Sequence, residues 1–267
     1  KPIEGETCVD VWLEACDYLL LQLADDWRAY NVVLEVARPI SLPAGDRAVV
    51  DLLDRFLATR GGLPINTVIN TIFPALTYQR HGATGLSERY LNDIYPTLKR
   101  HPEWRWGTYA QRLFQRRDPS GVDIKPLETL VAKLKTQLAL SGTQRAVYEL
   151  SMVEPFLDIP IYEPSQDRNR PIGGPCLVHV SVKLTNDHRL MLTGFYRSHF
   201  YIQRALGNLL GLAHLQHFIA KEAGVEVGPL VCHSSMAQLD LSPGKWGKRD
   251  VTELIAGAHA LRSGAAA

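Results

Sequence analysis

The stretch from Cys176 to Gly224 limits the possible folds more than any other part of the chain. Cys176 to Leu184 alternates in polarity and is rich in Val, Asn186-Asp187 marks a tight turn, and Arg189 to Tyr196 supplies a second alternating run. Together they predict a β-hairpin. From Phe200 an apolar helical segment continues to Ala223 and stops at Gly224. Gly207 and Gly211 inside it argue against a straight helix but allow another backbone to pack closely.

Upstream, Trp12, Ala15, Leu19, Leu20 and Leu23 recur at helical spacing and predict a helix over 10–26, followed by a strand at 31–37. Pro39 and Pro43 interrupt the next stretch. Val49, Val50, Leu52, Leu53, Phe56 and Leu57 then predict a helix over 46–59, ended by Gly61-Gly62. A third helix is expected over 123–140, with Pro126 near its first turn, a stripe of Leu127, Leu130, Val131, Leu134 and Leu138, and a stop at Ser141-Gly142. A strand at 145–150 should follow. The expected class is α/β (α+β), a single domain over 1–267 without internal repeats. The missing Met at position 1 suggests a trimmed chain, and residues 1–8 and 264–267 are expected to be frayed.

The 267 residues are 46% hydrophobic and 21% charged, the proportions of a globular protein. Lys plus Arg number 29 against 28 Asp plus Glu, so the net charge of +1 gives no field for gathering a nucleic-acid polymer, and any phosphate site must be local. Cys8, Cys16, Cys176 and Cys232 are scattered without a C-x-x-C pair, which points to a reducing cytoplasm. No apolar run approaches the roughly eighteen residues of a membrane span, and no basic stretch leads into an apolar core at the start. His214 and His217 are three apart, but no second pair or adjacent carboxylate completes a metal site, so none is expected.

Read in order, Pro175-Cys176, the hairpin, Tyr196-Arg197-Ser198, Asn208 ten residues later, and Gly228-Pro229-Leu230-Val231 after the helix resemble the layout of the thymidylate synthase family. Gly107-Thr108-Tyr109, the helix over 123–140, and Gln144-Arg145, which sits where that family carries an arginine pair, extend the likeness. It covers roughly Trp104 to Asp240. Alone, a Cys opening a Val-rich strand is more often a buried small hydrophobe than a nucleophile. Cys8, Cys16 and Cys232 are read that way.

The resemblance implies a mixed twisted β-sheet flanked by helices, and a homodimer packed sheet to sheet. It also implies an enzyme that modifies carbon 5 of a pyrimidine nucleoside monophosphate by methyl or hydroxymethyl transfer. That carbon is a poor nucleophile until a thiolate adds at carbon 6 and turns the ring into an enolate or its amino equivalent. Cys176 would be the nucleophile, with Arg197 lowering its pKa and, with Ser198, holding phosphate. Asn208 would read the pyrimidine edge, and its amide suits uracil. Gln144 and Arg145 would reach the phosphate of a partner subunit. Methylenetetrahydrofolate would be the carbon donor, with Tyr109 and Phe200 beside it.

Departures from the family pattern fall at telling places. Phe200 replaces an acid that helps hold the folate, Leu177 replaces a His after the nucleophile, and the sugar-reading His and Tyr give way to a segment whose candidate contacts are Gln238 and Asp240. The family's catalytic glutamate has Asp51 as its nearest counterpart. Two further readings stand beside the first: folate-independent addition chemistry in the same Cys/Arg cradle, and a nucleotide-binding relative without catalysis.

Overall fold

A computed structural model describes residues 2–100, 106–118, 120–140, 146–153 and 174–264. In chain order its elements are β1 (Pro2–Gly5), α1 (Cys8–Leu20), β2 (Arg28–Val36), α2 (Ala44–Thr59), α3 (Ile65–Ile72), α4 (Ala75–Arg89), a π-helical turn (Tyr90–Ile94), α5 (Tyr95–Leu98) and α6 (Tyr109–Phe114). There follow β3 (Arg116–Arg117), β4 (Asp123–Ile124), α7 (Pro126–Leu138), β5 (Glu149–Ser151), β6 (Leu177–Leu184), β7 (Arg189–Tyr196) and β8 (His199–Phe200). A second π-helical turn (Tyr201–Ala205) leads into α8 (Leu206–Ala223), β9 (Glu226–Gln238) and α9 (Lys248–Gly264).

The protein has a mixed α/β fold. Among the described residues the main sheet has the order β1-β2-β9-β7-β6-β5, with β8 beside the end of β9. β1 with β2 and β7 with β9 are parallel pairs, and the other pairs on that path are antiparallel. One face buries Val32, Leu34, Val180, Val182, Leu190, Leu192, Tyr196, Leu230 and Cys232 in a contiguous core. Each such aliphatic side chain contributes about 1.5–3 kcal/mol. On the other face Val33, Met191, Thr193, Phe195 and Val231 are only half-buried.

The predicted hairpin is present, with Leu177 opposite Tyr196 and a register slip between Leu177 and His179. The helix predicted over 10–26 starts earlier and stops earlier. Thr7 caps it: its hydroxyl accepts from the Asp10 amide at 3.1 Å, and the Asp10 carboxylate accepts from the Thr7 amide at 2.8 Å. Past Leu20, Leu21 and Leu23 are exposed, so no apolar face carries the helix further. Likewise 123–125 do not join α7, because Asp123 and Ile124 pair with β3, and Pro126 takes the first helical position.

Residues 2–5, expected to be frayed, form a strand. Pro2–Gly5 pairs in parallel with Val33–Val36, and Ile3 is 2% exposed. Gly264 closes α9, while 265–267 and the strand start expected at 145 lie outside the described residues. No described helix is long and apolar enough to cross a membrane.

The close packing allowed by Gly207 and Gly211 is realised. A Cβ on Gly207 would lie 2.8 Å from the Val68 Cβ, and one on Gly211 3.0 Å from the Ile72 Cβ, so α3 rests directly on the backbone of α8. Gly224 ends α8 in the left-handed conformation at φ 77°. Gly207→Ala should gain up to about 1 kcal/mol of helix propensity and lose about 1–3 kcal/mol to overpacking against a β-branched side chain that cannot swing away. The expected outcome in urea unfolding is net destabilisation, partly relieved by Val68→Ala in the same chain.

Candidate functional site

Because β7 and β9 run parallel and β6 runs antiparallel to β7, the carboxyl ends of β7 and β9 and the amino end of β6 meet at one edge of the sheet. Cys176 lies just before β6, Arg197 and Ser198 just after β7, and Phe200 in β8 opposite Gln238 at the end of β9. Arg204 in the second π-helical turn and Asn208 in the first turns of α8 approach the same edge.

The backbone around Cys176 is clamped from two sides. The amides of Cys176 and Leu177 both donate to the Tyr109 hydroxyl, at 2.9 and 3.1 Å. Thr108 caps the short α6 and so fixes where Tyr109 starts, its hydroxyl accepting from the Gln111 amide at 3.1 Å. From the other side the Arg197 amide donates to the Cys176 carbonyl at 2.9 Å, and Arg197 Nε donates to the Pro175 carbonyl at 3.0 Å. Tyr109, expected beside a carbon donor, is buried and engaged with the cysteine backbone.

The thiol is half-buried. Burial pushes its pKa up, the Arg197 and then the Arg204 guanidinium pull it down, and the net shift is upward. Arg197 lowers the pKa as expected, but desolvation outweighs it and Arg204 together, so the sulfur is protonated at rest near neutrality. Arg204 was not among the sequence candidates, although its place between Ser198 and Asn208 offered a signal.

Behind this edge lies a buried polar network that the sequence did not reveal. His199 is 1% exposed, with its ring stacked on Tyr196 at a centroid distance of 4.1 Å and an interplanar angle of 3°. Asn208 Nδ2 meets His199 Nε2 at 3.0 Å, and His199 Nδ1 meets Ser234 Oγ at 2.9 Å. With the amide as donor, Nε2 accepts and Nδ1 carries the hydrogen that Ser234 receives. Burial lowers the His199 pKa to about 3, so the ring is neutral. Asn208, 6% exposed and expected to read a pyrimidine, therefore has its amide nitrogen occupied by His199.

Other expected contacts have different surroundings. Asp240 is 3% exposed, and its carboxylate accepts from the Ile202 amide at 2.8 Å, the Gln203 amide at 3.4 Å and Gln203 Nε2 at 2.9 Å. It caps the π-helical turn before α8, satisfying amides that have no intrahelical partner. Gln238 is half-buried and Phe200 is 41% exposed at the rim. Asp51 is exposed on α2, which packs chiefly on α9 and also meets α1 and α3. Gln144 and Arg145 lie outside the described residues. Among the described residues no group of three or more His, Cys, Asp or Glu side chains is placed to hold a metal. Cys8, Cys16 and Cys232 are buried, as expected of structural thiols.

No family model matches the chain. A protein of Methanothermobacter thermautotrophicus named "Putative thymidylate synthase" is 40% identical over 65 residues, which is 24% of this chain and 29% of that protein. Its namesake in Methanothermobacter marburgensis is 38% identical over 65 residues, with the same coverage. Each match thus spans under a third of the relative's length. The likeness is a thymidylate synthase-like relationship over about a quarter of the chain.

The buried imidazole gives stability a pH dependence. Native His199 resists protonation until about pH 3, whereas an unfolded histidine titrates near 6.5, so in that interval the unfolded state binds more protons and acidification destabilises the fold. From pH 7 to pH 5 this one residue should cost about 2 kcal/mol. Urea unfolding at both pH values checks it: His199→Gln should have a flatter dependence than the parent, and equal slopes would refute the assignment.

Proposed function

We propose, from that partial relationship together with the Cys176 geometry, that the protein is a thymidylate synthase-like enzyme. In this reading it modifies carbon 5 of a pyrimidine nucleoside monophosphate by methyl or hydroxymethyl transfer through a covalent Cys176 adduct. The observation that carries the reading is a half-buried thiol with two guanidiniums bearing on it at the carboxyl edge of the sheet. Residues 1–267 act as one domain, supported by the contiguous core from Ile3 to Ala258, and work in the cytoplasm.

In this mechanism Arg197 and Ser198 hold the phosphate, and the substrate excludes water from the sulfur. The thiol, protonated at rest, passes its proton to bulk water before the ring seals the sulfur. Arg197 and Arg204 offset the charge on the sulfur until it adds to carbon 6 and the negative charge passes into the ring. Tyr109 keeps the cysteine backbone from moving during addition. Asn208 presents the free oxygen of its amide to the base edge, its orientation fixed by His199.

Methylenetetrahydrofolate is the donor that the relationship supports, and it would supply the one-carbon unit. The described residues near Phe200 do not fit its polar ring edge: Phe200 stands at the family's acid, and the Asp240 carboxylate is engaged in the cap. Asp51, the candidate for the family's general base, is likewise exposed on α2. These two observations favour, as a second reading, addition chemistry at Cys176 without folate.

A homodimer fits the half-buried outer sheet face of Val33, Met191, Thr193, Phe195 and Val231, with Gln144 and Arg145 reaching a partner's phosphate. Light scattering should give twice the chain mass, and Phe195→Lys should shift it toward the monomer.

Intact mass spectrometry with 5-fluoro-2′-deoxyuridylate, with and without methylenetetrahydrofolate, tests the chemistry. An adduct that needs the folate supports the first reading, one that forms without it supports the second, and loss in Cys176→Ser is expected in both. Absence of any adduct would remove both. Alkylation of Cys176 by iodoacetamide should accelerate as pH rises past 9, and Arg197→Ala should slow it about threefold or more at pH 8, because one pKa unit is a tenfold change in thiolate.

A further inference from the structure

A groove of about 320 Å³ opens between α3, the start of α4 and the later turns of α8. None of the residues around Cys176 lines it. At about 100° per residue, His214, His217 and Lys221 fall on one arc of α8, on the side roughly opposite Asn208. They face Asn66 and Asn70, one turn apart on α3, and Gln79 on α4.

The chemistry of this lining is one-sided. Every side chain in it that can carry charge at neutral pH is a base, and the other polar side chains are amides with N–H groups to donate, apart from the Tyr78 phenol. That phenol is already engaged, donating to Glu222 Oε1 at 2.6 Å. Lys221 Nζ lies 5.3 Å from the Tyr78 ring centroid, which holds the ammonium over the groove floor. His214 Nδ1 is sealed from solvent without a hydrogen-bond partner among the described residues. Burial, and then the neighbouring His217, lower the His214 pKa.

The floor is apolar and aromatic. Phe73 and Tyr78 are buried, and with Phe218 they form a cluster at centroid distances of 4.9 to 6.1 Å. Leu76, exposed at the rim, adds apolar surface. A volume at the small end of ligand pockets, basic and amide-rich above and aromatic below, suits a molecule with a compact apolar body and one anionic end.

We propose that this groove is a second ligand site, independent of the Cys176 chemistry, for a small organic oxyanion: an apolar or aromatic body bearing one phosphate or carboxylate. Lys221 and His217 take the anion from α8, Asn66, Asn70 and Gln79 donate to it from across the groove, and the Phe73–Tyr78 floor takes the body. Phosphate and carboxylate ligands share this chemistry and are separated by experiment.

The test follows the imidazole signals of His214 and His217 by NMR in protein labelled at histidine, assigned with His214→Gln and His217→Gln, during titration with phenyl phosphate, benzoate and benzyl alcohol. The expected result is saturable movement of both signals at millimolar or lower concentration of one or both anions. Benzyl alcohol should move them little. Lys221→Gln, an exposed change that leaves the core intact, should weaken binding about tenfold, the worth of one charge-assisted contact, and Arg197→Ala should leave it unchanged. Phenyl phosphate alone, or benzoate alone, would identify the anion. No movement with either anion, equal movement with benzyl alcohol, or sensitivity to Arg197→Ala rather than Lys221→Gln would overturn the proposal.

Discussion

Strands β7 and β9 are parallel neighbours, and a parallel pair cannot be closed by a turn. The chain must leave the edge of the sheet, cross its face and return, and α8 is that crossover. Since α8 lies between the sheet and α1, α3, α4 and α7, most of its circumference is buried. Its near-continuous apolar sequence, its two close-packing glycines and the meeting of strand ends at Cys176 all follow from this one pairing.

This is also why the sequence was readable where it was. Alternation around Asn186-Asp187 is a local signal, and the hairpin it predicts is present. The following helical segment starts where the sequence places it, after Phe200, but the π-helical form of its first turn has a remote determinant: Asp240, 38 residues away from Ile202, caps a turn that no periodicity within Tyr201–Ala205 announces. β1 is four residues with a Pro at its head, too short for a pattern, and is defined by the edge of β2 that it covers. At the site, Cys176 and Arg197 were legible as a pair, whereas His199 looked like one more polar residue after a strand. Only the ring of Tyr196 and the positions of Ser234 and Asn208 give it a task.

Burial and charge oppose each other at this edge, and burial prevails at each group. At Cys176 it outweighs two arginines. At His199 it acts unopposed and leaves a neutral ring whose two nitrogens are both matched. At Asp240 it raises the carboxyl pKa, although several donors pull the other way. In a site built like this the permanent charge sits on the two guanidiniums, while the buried groups around them are held toward their neutral forms.

The strand order has a consequence for how the molecule is made. β1 and β2, at the start of the chain, join the sheet only through β9, whose residues are 226–238. The Trp12 indole likewise donates to the Tyr201 carbonyl, 189 residues later. On the ribosome the first two strands therefore emerge long before their partner exists, and the β2 edge must wait unpaired. Contacts this distant in sequence slow folding, so the open β2 edge is a burden carried by the growing chain and removed only when β9 has been made.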